Sequence, residues 1–174
     1  MLCIVLCLVL LCAGCVAEQP ESARTVAAFE VPLPTPSDKS DFLALLRKEA
    51  ADNGYHVDAA SEGELAQMSQ VSPITFSAAI WRGNDDEAIA SAMDFQDHIG
   101  RVWLTFSLGK NPENVRRFQE AVVPQIVQRW PGTASLPIMP NGGIPLTSDL
   151  VRAPSGYEVN PSAAAKYEVE APAR

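Results

Sequence analysis

The chain has 174 residues, 13 of them basic and 21 acidic, for a net charge of −8, and 47% of its residues are hydrophobic. That acidic balance disfavours polyanions, so nucleic acid and anionic headgroups are poor partners, and it leans weakly toward a basic protein. About 150 residues are enough to bury roughly 68–70% of the unfolded surface in one core without help from disulfides.

The chain opens on Leu2–Leu11 (LCIVLCLVLL), an uncharged apolar run followed by Cys12, Ala13, Gly14 and Cys15. A bilayer-spanning helix needs roughly 20 apolar residues, whereas a secretory core needs roughly 7–15, and this run has the shorter length. All four cysteines fall within these first fifteen residues. The segment Ala13-Gly14-Cys15 resembles the lipobox of bacterial lipoproteins, with Cys12 at the place where that pattern has an aliphatic residue. The resemblance implies that residues 1–14 are a signal peptide and that the Cys15 thiol takes a diacylglyceryl group. It also implies cleavage before Cys15 and acylation of the freed amine. Val16 in place of Asp implies the periplasmic face of the outer membrane. Two acyl chains already give stable attachment, so three hold the protein at the bilayer permanently. With Cys15 consumed by lipid, no internal disulfide is possible.

Residues 15–24 read as a lipid-proximal tether. Residues 25–131 follow as an α+β domain, and residues 132–174 as an extended Pro/Gly-rich tail wrapping it. In the domain, Val26, Ala28 and Glu30 alternate with Ala27, Phe29 and Val31, the period of a strand. Ser40 as N-cap, with Phe42, Leu45, Leu46 and Ala50 at helical spacing, predicts a first helix that Asn53-Gly54 stops. A short strand begins at Tyr55. Ser61-x-x-Glu64 is a capping box opening a short helix that offers Leu65 and Met68 to the core.

Three runs then alternate in the manner of an antiparallel meander: Ile74 to Trp81, Ile89 to Phe95, and Val102 to Leu108. Asn111-Pro112-Glu113 starts a second long helix, with Val115, Phe118, Val122 and Ile126 as its buried stripe. Pro124 predicts a kink or a restart within it. The sum is a mainly antiparallel sheet of four to five strands with two main helices on one face.

Chemistry is sparse. Asp94, Asp97 and His98 invite comparison with a hydrolytic triad, but no G-x-S-x-G elbow accompanies them and Asp is common at turns. Asn84-Asp85-Asp86-Glu87 lacks the spacing of a calcium loop, and two distant histidines do not make a zinc site. Asn141-Gly142-Gly143 lacks the lysine and the helix of a phosphate loop and reads as a turn. No catalytic residue, metal or cofactor is predicted.

Trp81 and Trp103 fall on the sheet face opposite the helical layer. There they either meet a partner, as half-wet indoles often do, or lie under the tether or the tail. The sequence therefore points to a non-enzymatic, lipid-anchored module that binds protein or assists envelope assembly. An immunity or inhibitor lipoprotein against a periplasmic toxin or hydrolase is the alternative, and a cell-wall or lipid hydrolase using His98 is a third.

Overall fold

A computed structural model describes residues 21–82 and 88–167. Cys15 and the 84–87 turn lie outside the described residues. The described residues fold as α+β, with three α-helices and one mixed eight-stranded sheet.

Strand β1, Thr25–Pro32, leads into α1, Pro36–Asp52. This helix starts earlier than Ser40. Thr35 accepts from the Asp38 amide while Asp38 accepts from the Thr35 amide, and Pro36 supplies a preset φ in the first turn. The reciprocal cap lay hidden among prolines that resembled a linker. At the other end Gly54 takes φ +76°, its amide donates to Ala51 and the Tyr55 amide donates to Ala50. These are the two bonds of a Schellman stop.

Strand β2, His56–Ala59, precedes α2, Glu62–Met68, whose Ser61–Glu64 capping box is present. Contrary to the sequence reading, α2 buries nothing fully: Leu65 is half-buried and Met68 is 38% exposed. The meander follows as β3, Phe76–Trp81, then β4, Ala90–Asp94, and β5, Arg101–Ser107. Helix α3, Pro112–Arg129, runs unbroken through Pro124 and buries Val115, Phe118, Val122 and Ile126. The expected restart at Pro124 does not occur. The proline is on the exposed side, and the Gln125 side-chain amide donates to the Ala121 carbonyl beside it.

The first five strands stand in the order β2-β3-β4-β5-β1, each pair antiparallel. Residues beyond 131 add three more, which corrects the expected count of four to five strands. These are β6, Ala134–Ser135, β7, Leu150–Ala153, and β8, Gly156–Val159. Strand β6 pairs with β1, β8 pairs parallel with β6, and β7 closes the edge. What reads as a tail is thus partly sheet. Gly156 makes this possible: at φ +151°, a Cβ there would meet the Ser135 hydroxyl oxygen at 2.1 Å.

Both long helices cover one face. Phe42, Leu46 and Ala50 of α1 and the stripe of α3 pack on Phe76, Ala78, Ile80, Val102, Leu104 and Phe106. The opposite face carries a smaller core of Ala28, Trp103 and Leu136, against which Ile138, Ile144, Leu150 and Tyr157 pack.

Candidate functional site

The end of the sheet where β4 closes and β5 begins is organised by one carboxylate. Asp94 is fully buried on the helical face. It accepts from the amides of Thr75 and Phe76, both at 2.7 Å, from the Gly100 amide at 2.9 Å, and from the Thr75 hydroxyl at 2.6 Å. Lys39 of α1 stands 3.4 Å away. Burial pushes the Asp94 carboxyl up, but the bonds from Thr75 and Gly100 and the Lys39 charge outweigh it, so it titrates below the usual carboxylate range. This hub fixes the entry to β3, the exit of β4 and the 95–100 turn together.

From that hub the turn projects Phe95 and Gln96. The Gln96 amide donates to Pro73, and its backbone takes φ +50°. Phe95, Gln96, Met93, Ile74, Ser72, Val71 and Met68 enclose an apolar groove of about 500 Å³. Val71 is 93% exposed at its lip. Behind the groove Phe95 meets His98 edge-on at 4.3 Å, and His98 stacks on Trp103 at 4.5 Å with 8° between the rings. Asp97 lies exposed beside Gln96, on a protein whose net charge is already negative.

The groove and the first described residues occupy opposite ends of the sheet. Leu108 and Gly109, just past β5, donate to the carbonyls of Arg24 and Ser22 at 2.7 Å each. Between that end and the 95–100 turn lie the seven residues of β5, about 20 Å of extended chain.

His98 is 1% exposed, and its Nδ1 lies 3.0 Å from the Arg101 carbonyl, the geometry of an Nδ1–H donor. Its Nε2 is buried with no hydrogen-bond partner among the described residues. Asp94 and Asp97 do not converge on it with a nucleophile: Asp94 is spent on backbone amides, and the Asp97 side chain is exposed. His56 is exposed, 3.8 Å from Asp58.

Trp103 lies 8% exposed under the C-terminal segment, and its indole donates to Glu30 at 3.2 Å. Trp81 is half-buried, with Nε1 covered and unpartnered among the described residues. The two indoles share a sheet face but are not brought together. Asn141-Gly142-Gly143 forms a turn whose amides are spent locally: Gly143 donates to Asn141 and Gly142 to Met139.

Sequence reasoning missed the fastening role of three of the buried carboxylates. Asp94 is one. Glu30 accepts from Tyr157 at 2.7 Å as well as from Trp103, with Arg101 3.6 Å away. Asp149 accepts from the Tyr167 hydroxyl at 2.6 Å and from Lys166 at 3.0 Å. Each stands in an ordinary strand or turn position, and only long-range pairing reveals it. The groove had a faint signal, since Val71 is an isolated apolar residue in a polar connection. Compared with known protein families, characterised proteins and solved structures, the chain matches none.

Proposed function

We propose that this protein is a lipoprotein of the bacterial outer membrane that holds a protein partner rather than transforming a substrate. The leading support is the apolar groove at the end of the sheet remote from the first described residues. A large exposed apolar hollow on an otherwise acidic protein marks a contact surface. With acyl chains on Cys15, the sheet would present that groove away from the bilayer. Met68 and Met93 give it the adaptable lining common at protein-binding surfaces. The partner would bring one or two apolar anchor side chains ringed by basic residues, the complement of an apolar hollow on a protein of charge −8. The burial and ring stacking of His98 weigh against a hydrolase built on that base.

Metabolic labelling with a fatty-acid alkyne tests the anchor: the protein acquires label, and Cys15→Ser abolishes it. A photo-crosslinking residue at Val71 tests the groove. It yields a discrete adduct in intact cells, whereas the same residue at exposed Glu120 on α3 yields none. Adducts that fail to form, or that form equally at both positions, overturn the binding role. The identity of the adduct separates an envelope-assembly partner from a neutralised toxin.

A further inference from the structure

The chain has an excess of carboxylates, and several of its cations have claimed one. Lys39, Lys48, Arg101, Arg116, Arg129 and Lys166 each stand within 4 Å of an Asp or Glu. Arg24, Arg47, Arg82, Arg117 and Arg152 have no such partner among the described residues, and of these Arg82 and Arg117 stand together. They line the same polar hollow of about 190 Å³, with Asn53, Gly54, Tyr55 and Asn114 completing its wall. Among the described residues neither guanidinium has a carboxylate within 4 Å.

Two arginines lining one hollow repel each other, and Arg117 also feels the Glu113 carboxylate one turn before it. An anion between them removes that repulsion and gains charge-assisted hydrogen bonds from both. Asn114 and Arg117 lie in the first turns of the 18-residue α3, where the positive end of the helix dipole adds to the same field. The Asn53 side-chain amide is already spent on the Glu49 carbonyl, and the Asn114 backbone amide on Asn111. The Asn114 side-chain amide has no such engagement among the described residues and remains as a third donor. At about 30 Å³ per water, the hollow has room for a phosphoryl group and a few waters.

We propose that this hollow is a phosphate-type oxyanion site, with Arg82 and Arg117 as its charged ligands and Asn114 as a neutral donor. The protein's net charge opposes polyanions at long range, but a single oxyanion seated between two guanidiniums responds to the local field. The hollow adjoins a second one lined by Gly109 and Asn111, and Gly109 donates to Ser22, so the site lies at the end where the described chain begins. Residues 15–21, fully extended, reach roughly 20 Å. On the lipoprotein reading, that places the site within range of lipid headgroups, and a free phosphate offers the same chemistry.

The test uses the full chain in neutral-detergent micelles at constant ionic strength, with inorganic phosphate as the probe and the Arg Nε–H and Asn114 side-chain amide resonances as readout. Saturable shifts at Arg82, Arg117 and the Asn114 side-chain amide are expected, and the double change Arg82→Gln/Arg117→Gln, followed at the Asn114 amide, weakens binding by about tenfold or more without lowering the melting temperature. Arg47→Gln, on the exposed side of α1, leaves binding unchanged. The same protein in phosphatidylcholine nanodiscs, with and without phosphatidylglycerol, distinguishes the sources. Shifts produced by the anionic lipid alone assign a headgroup, and shifts that need added phosphate assign a soluble ion.

Absence of shifts under every condition overturns the proposal, as does an equal loss from Arg47→Gln. The sequence after Arg82 contains Asp85, Asp86 and Glu87. Binding that appears only when these three are changed to Asn, Asn and Gln shows that the chain's own carboxylates fill the hollow, which also overturns it.

Discussion

Asp94 closes its corner of the molecule by giving two carboxylate oxygens to three backbone amides and a hydroxyl. An Asn in its place keeps one acceptor and turns an N–H₂ toward donors, so Asp94→Asn should cost about 3 kcal/mol, read by denaturant unfolding. The pH dependence follows from its lowered folded-state pKa. The stabilisation is full above the unfolded-state value of about 3.9, and it drains away as pH falls through the lower folded value. The wild-type melting temperature should therefore drop on acidification below about pH 4, and more steeply than that of Asp94→Asn. A parallel decline in the two proteins would show that other carboxylates control acid unfolding. The sequence singles out Asp94 only as an apparent companion of His98; nothing in it marks a hub, because a strand-ending Asp before a turn is commonplace and its donors sit across the sheet.

At the scale of elements, α3 was legible because all its signals are local. Asn111 caps, Pro112 starts, and four apolar residues recur at helical spacing. The single local sign against continuity, Pro124, is overridden by tertiary packing of Val122 and Ile126 on either side of it. That override leaves a cost in place. Pro124→Ala restores an amide to the exposed face of the helix and should stabilise the protein by as much as about 3 kcal/mol; an unchanged or lowered melting temperature would refute this. The start of α1 was misplaced because Thr35-Pro36-x-Asp38 is compositionally a linker until its cap geometry is seen. Strands β6 to β8 were missed for a different reason. β6 has two residues, too few for any periodicity, and its partners lie a hundred residues upstream and twenty downstream. The turn Pro154-Ser155-Gly156 between short alternating runs was the one available sign of the hairpin. Gly156→Ala forces a methyl into Ser135 and should detach that hairpin. The expected signature is loss of amide protection across β7 and β8, with β3 to β5 unaffected.

Considered whole, the molecule is one sheet clad on both faces by unequal cores, the larger under α1 and α3 and the smaller under the C-terminal segment. The alternation of Val102 to Phe106 announced the first cladding; the second depends on Glu30 meeting Tyr157 and Trp103, which no local pattern encodes. Ending the chain at Pro131 removes β6 to β8 and uncovers Ala28 and Trp103 while leaving Glu30 without Tyr157. Such a protein should bind a hydrophobic dye and unfold at lower denaturant, and a truncated form as stable as the full chain would show the segment to be an accessory.

The first strand of the described residues, β1, has β5 on one side and β6 on the other. Neither neighbour exists until much later in synthesis, so early local structure cannot satisfy the backbone of β1. Loop-closure entropy must be met twice, over long spans, before the centre of the sheet is complete. Closures over spans of that length slow folding relative to a sheet built from consecutive hairpins, so β1 is a strand whose pairing waits on the rest of the chain.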